Sequence, residues 1–316
     1  MTMPLPRTAL MTFERSRCCV MRCNRSACRR CAEACSQGAI TFTPSFSLSA
    51  EQCSGCLRCT AACPTGALTA RGMEHPDIFD ILANIANPVL GCGTRPDSRG
   101  HVRVPCFGGC DEAWLLALLL ALPDPIQLNM TACAACRNGA IVADIKDRLK
   151  NIEARTRLPA FKTIRLVEQQ SDLRFEAVQF DRRRFFRAFG TKVLQDIRQG
   201  MPSQLLHYGT LAYNHKTAPF ARQSLNRRLS AASAKCAQKI LTDYYYTVEC
   251  SARCTMCAAC VAICPTGALE QLPEEHRLRF DSTRCAGCAV CAEFCRQGAI
   301  QVKTGWFRDS LSPIQL

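Results

Sequence analysis

Histidine is scarce: five in 316 residues, scattered along the chain. No His–carboxylate pair is therefore in place for general acid–base or nucleophilic catalysis. No Gly-x-Gly-x-x-Gly loop and no flavin signature occurs, which speaks against a resident dinucleotide. Long apolar runs are missing too. The most apolar stretch, Ala113–Leu122, is about half of the ~20 residues a membrane span requires and reads as a buried core helix. The opening residues hold no apolar secretory core, so export by a cleaved signal is not expected. Acidic residues are the minority, 26 against 40 Lys and Arg, for a formal charge of +14. The excess is uneven: residues 1–70 carry +5, 71–149 carry −2, 150–249 carry +10 and 250–316 carry +1.

Cysteine is what the chain has in excess, 25 in all. Disulfide-rich chains are usually short and secreted. Here the cysteines recur with gaps of two, two and three residues, a spacing that suits metal better than disulfides. The expected compartment is reducing, hence cytoplasmic. Export of the folded chain on a signal-bearing partner stays open. The length allows two or three domains.

Near the C-terminus stands Cys254-x2-Cys257-x2-Cys260-x3-Cys264, followed by Pro265. A second run, Cys285-x2-Cys288-x2-Cys291-x3-Cys295, comes twenty residues later. Two-residue gaps let one tight loop offer three thiolates to three corners of a cubane, while the fourth cysteine points elsewhere. Pro265 turns the chain away and has no N–H to satisfy. The pair resembles the two-cluster [4Fe–4S] bacterial ferredoxin domain over residues 245–305. The tails Cys-Pro-Thr-Gly-Ala-Leu (264–269) and Cys-Arg-Gln-Gly-Ala-Ile (295–300) match that family's habit. The resemblance implies one cluster on Cys254, Cys257, Cys260 and Cys295 and another on Cys285, Cys288, Cys291 and Cys264.

Cys23-x4-Cys28-x2-Cys31-x3-Cys35 and Cys53-x2-Cys56-x2-Cys59-x3-Cys63, with Pro64, repeat the pattern over residues 18–70. By the same resemblance one cluster takes Cys23, Cys28, Cys31 and Cys63, and the other Cys53, Cys56, Cys59 and Cys35. The first gap is four residues instead of two, and Cys18 and Cys19 are nearby competitors for the place of Cys23. Structural zinc also takes four thiolates through Cys-x2-Cys pairs. It rarely uses three successive cysteines spaced by two with a crossing fourth, so iron–sulfur is the preferred reading for all four sets. Cys250-x3-Cys254-x2-Cys257 has the spacing of the radical S-adenosylmethionine motif, but it lies inside a complete ferredoxin run, which leaves Cys250 surplus. Six arginines crowd the first run: Arg15, Arg17, Arg22, Arg25, Arg29 and Arg30. Positive charge favours a cluster's reduced form, so the first module is expected to have a less negative potential than an acidic ferredoxin.

Between the two pairs, β-rich pieces at Pro88–Cys92, His101–Pro105 and Ile126–Met130 alternate with helical stretches at Asp111–Leu122 and about 140–157. That alternation predicts a small α/β unit over residues 86–168, with Phe161–Val167 as a closing strand. Asp111 is placed to cap the first helix and Pro123 to stop it. Ile145, Leu149 and Ile152 share one face of the second. Gly-Cys92-Gly, Val-Arg-Val-Pro-Cys106-Phe-Gly-Gly and Cys133-Ala-Ala-Cys136 together resemble the iron–sulfur delta subunit of methyl-viologen-reducing hydrogenases. The resemblance implies a fifth cluster, [2Fe–2S] or [4Fe–4S], on Cys92, Cys106, Cys133 and Cys136. Zinc and a Cys133–Cys136 dithiol remain the rivals.

Residues 169–244 read as a basic helical linker. Asp181–Phe189 looks like a twin-arginine signal, but it is internal and no apolar segment follows. Arginines there suit salt-bridged interfaces or an acidic partner surface better than nucleic acid, for which no recognition motif is present. The expected fold class is α+β: two ferredoxin-like dicluster domains flanking a small α/β iron–sulfur domain and a linker, a polyferredoxin-like layout. No catalytic residue is assigned. The expected function is electron relay within an oxidoreductase, between a ferredoxin or quinone-linked donor and a catalytic subunit. An iron–sulfur sensor or a cluster carrier is the alternative. Cys18, Cys19, Cys110, Cys236 and Cys250 are left without a role.

Overall fold

The computed structural model of the protein describes residues 10–43, 45–75, 77–177, 208–209, 213, 215–272 and 277–306. The arginine-rich 181–189 stretch lies outside them.

The N-terminal module runs β1 (Met11–Glu14), α1 (Cys19–Arg22), α2 (Arg30–Glu33), β2 (Ile40–Thr41), β3 (Ser47–Leu48), α3 (Arg58–Ala62) and β4 (Leu68–Ala70). β1 pairs antiparallel with β4, Phe13 opposite Leu68. β2 pairs antiparallel with β3, Ile40 opposite Leu48. The short helices α2 and α3 pack on each other.

The central unit runs α4 (Asp77–Ala83), β5 (Val89–Cys92), β6 (Val102–Val104), α5 (Glu112–Ala121), β7 (Ile126–Asn129), α6 (Ile141–Thr156), α7 (Ala160–Thr163) and β8 (Ile164–Val167). Its strands form one parallel sheet in the order β6-β5-β7-β8. Val89, Leu90, Ile126, Leu128 and Ile164 are wholly buried. β5, Val-Leu-Gly-Cys, is the continuous apolar run that a strand covered on both faces needs, whereas β7 also buries Gln127 and Asn129. The connection from β5 to β6 has no helix. It folds back over β5 because Gly91 and Gly100 meet face to face: a Cβ on Gly100 would stand 2.4 Å from the Gly91 nitrogen.

Helix α5 is apolar on every side, and Trp114 to Leu118 are all buried. Such a helix must be surrounded. It packs against α4 and α6, and on a helix from later in the chain, α8 (Phe220–Leu229). The Asp111 carboxylate caps it, accepting the Trp114 N–H at 2.7 Å. In α6 the residues Ile141, Ile145, Leu149 and Ile152 are buried, one stripe of an amphipathic helix. The Phe161–Val167 piece differs from expectation. Pro159 starts a single helical turn, its carbonyl accepting from the Lys162 and Thr163 N–H groups, and the strand begins only at Ile164.

β9 (Tyr208–Gly209) adds to β1 in parallel. α8 and α9 (Ala234–Tyr244) follow. The C-terminal module then runs β10 (Tyr246–Cys250), α10 (Ala259–Ile263), β11 (Leu269–Leu272), β12 (Arg277–Phe280), α11 (Val290–Phe294) and β13 (Ile300–Thr304). β10 pairs with β13, Cys250 opposite Ile300, and β11 with β12, Leu269 opposite Phe280. Helix α8 joins three parts. Arg222 donates to the Tyr244 carbonyl at 2.7 Å, Asn226 to the Thr283 carbonyl at 2.9 Å, and Arg228 to Asp80 at 2.9 Å. One apolar core holds the N-terminal module, the sheet and these helices; a second holds the C-terminal module with Cys19 and Cys23. Among the described residues no helix is long and apolar enough to cross a membrane.

Candidate metal centres

In three of the four runs the backbone turns left-handed on both sides of the second cysteine. The pairs are Gly55 (φ 72°) and Leu57 (61°), Met256 (53°) and Ala258 (55°), Gly287 (61°) and Ala289 (60°). A non-glycine residue in that region costs about 1–2 kcal/mol. The strain lets one loop curl three side chains around a common centre. Leu57, Ala258 and Ala289 then start the short helices that carry the third cysteines. The run at Cys28 departs: Arg29 has φ −131°.

The fourth cysteine of each run is followed by a Gly-Ala turn. The sulfurs of Cys35, Cys63 and Cys295 accept the N–H groups of Ala39 (3.4 Å), Ala67 (3.2 Å) and Ala299 (3.3 Å). Backbone N–H donors favour a thiolate and tune the potential of a cluster bound to it.

The thiols crowd one another in the sets the spacing implies. Burial raises Cys59, with Cys56, Cys31, Cys53 and Cys35 around it. Cys291 is raised likewise, facing Cys288, Cys285, Cys264 and Cys260. Burial pushes Cys260 up to about 11, with Cys254 and Cys257 adding to it. Crowded, dry thiols resist ionisation unless positive charge enters between them. The iron core of a cluster supplies that charge, so the donor sets fit it. Among the described residues no three His, Cys, Asp or Glu side chains converge on a single-ion spacing.

The first N-terminal set is placed differently from the spacing. Burial pushes Cys31 up to about 12, and its thiol neighbours are Cys63, Cys18 and Cys28. Cys18 in turn faces Cys63 and Cys28. Cys23 is buried in the C-terminal core together with Cys19. The Cys19 thiol engages both Cys28 and Cys288, and that contact raises Cys19 and lowers the two thiols it meets.

The four central cysteines gather at the C-terminal edge of the parallel sheet, where open α/β sheets place their sites. Cys92 ends β5, Cys106 follows β6, and Cys133 and Cys136 lie in successive turns after β7. Burial pushes Cys106 up to about 12, with Cys92, Cys56 and Cys133 beside it. It pushes Cys133 up to about 11, with Cys92 and Cys136 beside it. Arg103 donates to the Cys92 carbonyl at 3.1 Å. Cys110 is wholly buried next to Cys106 and beneath Arg148, which donates to the Cys110 carbonyl at 2.6 Å. Cys250 sits beside Cys254 and Cys236 is half-buried on α9.

Residues 253–299 match the 4Fe-4S dicluster domain family, and residues 47–69 match the 4Fe-4S binding domain family. Both ends of the chain carry ferredoxin-type 4Fe–4S domains. The second match spans Cys53, Cys56, Cys59 and Cys63 but not the run that precedes them. No curated protein and no solved structure shows significant similarity to the chain. Ferredoxin-type domains imply an electron-transfer role.

The N-terminal ferredoxin-type domain is pressed onto the sheet unit. Besides the Cys56–Cys106 approach, Asn138 donates to the Ser54 carbonyl at 3.1 Å and Arg58 makes a two-pronged bond to Asp144 at 2.5 and 2.9 Å. A Cβ on Gly108 would stand 2.0 Å from the Cys56 carbonyl oxygen. Nothing in the cysteine spacing signals this junction. The contact of Cys19 with both ferredoxin-type domains was equally hidden.

Proposed function

We propose that the chain is a multi-cluster electron-transfer subunit of an oxidoreductase complex, with five cysteine sets holding four [4Fe–4S] clusters and a central one. The sets are Cys92/Cys106/Cys133/Cys136, Cys53/Cys56/Cys59/Cys35, Cys28/Cys31/Cys63 with a fourth thiolate from the 18–23 segment, Cys285/Cys288/Cys291/Cys264 and Cys254/Cys257/Cys260/Cys295. One observation carries the reading: each set has a thiol within electrostatic reach of a thiol of the next. Cys106 neighbours Cys56, Cys59 neighbours Cys31, Cys28 and Cys288 share Cys19, and Cys291 neighbours Cys260. A cluster held only by cysteine supplies one-electron redox chemistry and offers no open position to a substrate.

The chain's residues do the rest. Burial excludes water from the interior sets. Cys257, in a terminal set, is exposed and faces any partner. Arg30 lies beside both Cys28 and Cys288, where its charge favours the reduced state of either neighbour. The central set supports the likeness to the hydrogenase delta subunit, and [2Fe–2S] or [4Fe–4S] both suit its four thiols. The proposed partners are a catalytic subunit and a ferredoxin or quinone-linked donor, and the proposed compartment is the cytoplasm.

Iron and sulfide analysis of anaerobically prepared protein tests this. About 18–20 irons per chain are expected, for four cubanes and one further cluster. Electron paramagnetic resonance titration should find the Cys28/Cys31/Cys63 set among the less negative potentials. Colourless protein carrying zinc would overturn the reading.

A further inference from the structure

The segment before Cys18, with the Cys63 tail it pairs with, repeats the hydrogen bonds of the segment before Cys285 with the Cys264 tail, and the match selects one cysteine from the 18–23 segment. Ala67 and Ala268 hold the same place in their Cys-Pro-Thr-Gly-Ala tails. Each carbonyl accepts a backbone N–H at 2.7 Å, from Glu14 and from Asp281 respectively. Both acids then repeat one turn. Glu14 accepts the Ser16 N–H at 3.0 Å and hydroxyl at 2.6 Å; Asp281 accepts the Thr283 N–H at 2.9 Å and hydroxyl at 2.5 Å.

Arginine follows in both. Arg17 donates to the Thr217 carbonyl at 3.0 Å and Arg284 to the Lys216 carbonyl at 2.9 Å. Each guanidinium covers the glycine of its own tail, Gly66 or Gly267. The next residue is Cys285 in one domain and Cys18 in the other. Their N–H groups make the same turn, to Ser282 at 3.3 Å and to Arg15 at 3.2 Å. Cys23 lies five residues further on, past α1.

We propose that Cys18, rather than Cys23, is the fourth ligand of the cluster held by Cys28, Cys31 and Cys63, and that residues 19–27 are an insertion docked on the other ferredoxin-type domain. The proposal rests on the iron–sulfur reading above. Its ligand spacing is Cys18-x9-Cys28-x2-Cys31, with Cys63 in the place of Cys264. The insertion has its own anchor. Arg22 donates to the Ile263 and Ala262 carbonyls at 2.7 and 2.8 Å, at the end of α10, and to the Ser16 carbonyl at 2.6 Å. That clamp lays α1 against the C-terminal domain and puts Cys19 between Cys28 and Cys288. It carries Cys23 into the C-terminal core, and the thiols around Cys31 are Cys63, Cys18 and Cys28.

Cys18→Ser and Cys23→Ser in the full-length protein, prepared without oxygen, test the assignment. Serine keeps the size of either buried side chain. Cys18→Ser should lose about four irons per chain or shift one resonance signal, with the C-terminal signals kept as the folding control. Cys23→Ser should keep the wild-type iron content and spectrum. Cys23→Ala repeats that arm without any oxygen ligand. Loss of a cluster in the Cys23 variants, or an unchanged Cys18→Ser spectrum, would overturn the proposal while leaving the wild-type iron count intact. An iron-free wild type would instead remove the reading on which it rests.

Discussion

At the scale of single residues, the runs rest on backbone conformations that most side chains resist. Gly287 has φ +61°, and a Cβ there would stand 2.2–2.5 Å from ring atoms of Tyr246. These are the outer ring atoms of Tyr246 at the start of β10, so alanine forces the whole ring or the cluster loop to move. Gly287→Ala should therefore lose about four irons, those of the Cys264/Cys285/Cys288/Cys291 set. Gly38 is the comparison: the same φ of +61° but nothing within 4 Å. Gly38→Ala meets only backbone strain, about 1 kcal/mol, and should keep full iron. Equal losses in both variants would refute the clash argument. The cysteines themselves were legible from spacing, because a cubane dictates the gaps. Gly55 and Gly287 also announce their turns. Leu57, Met256, Ala258 and Ala289 do not, since an ordinary residue type is forced left-handed there by its neighbours.

At the scale of elements, the sheet unit was legible where composition and burial agree. Val89–Cys92 is an apolar run of strand length, Ile126–Asn129 alternates apolar and polar residues, and α5 is too apolar to lie on a surface. The α7 turn was not legible, since Phe161 is a strand-forming residue type drawn into a turn by Pro159. The cap of α5 yields a prediction. Desolvation raises the Asp111 carboxyl above its usual value, against the pull of the Trp114 N–H, Arg148 and Arg222. A carboxyl with a raised folded pKa binds its proton more tightly in the native state. Stability therefore falls as pH climbs from the unfolded value, about 3.9, through the folded one. Asp111→Asn keeps an oxygen for the Trp114 N–H and removes the charge. Its thermal midpoint should match or exceed the wild type at pH 7, with the gain fading towards pH 4. Asp111→Ala, which loses the cap, should cost about 1 kcal/mol. A lower midpoint for Asp111→Asn at pH 7 would show that the charge itself is needed, for instance by Arg148.

At the scale of the whole molecule, the sequence reads as beads on a string, whereas the structure joins them through α8, the 19–27 insertion and the Cys56–Cys106 junction. Those joints use single arginines and glycines far apart in the chain, so no periodicity reveals them. The two cores they separate differ in kind. Of the fourteen described residues buried in the C-terminal core, six are cysteines: Cys19, Cys23, Cys260, Cys264, Cys285 and Cys291. A domain of about 60 residues is marginal even with an apolar core, and small modules commonly depend on a metal. The other core holds the leucines of α5 and the sheet, each contributing about 1.5–3 kcal/mol on burial. A bound cluster stabilises only the state that binds it. Anaerobic iron chelation should therefore open the molecule unevenly. Amide hydrogen exchange should rise across 246–304 first, then around 11–70, which shares the larger core, while 88–167 and 220–229 stay protected. Uniform loss of protection along the chain would mean that the joints, and not the clusters, hold the C-terminal domain folded.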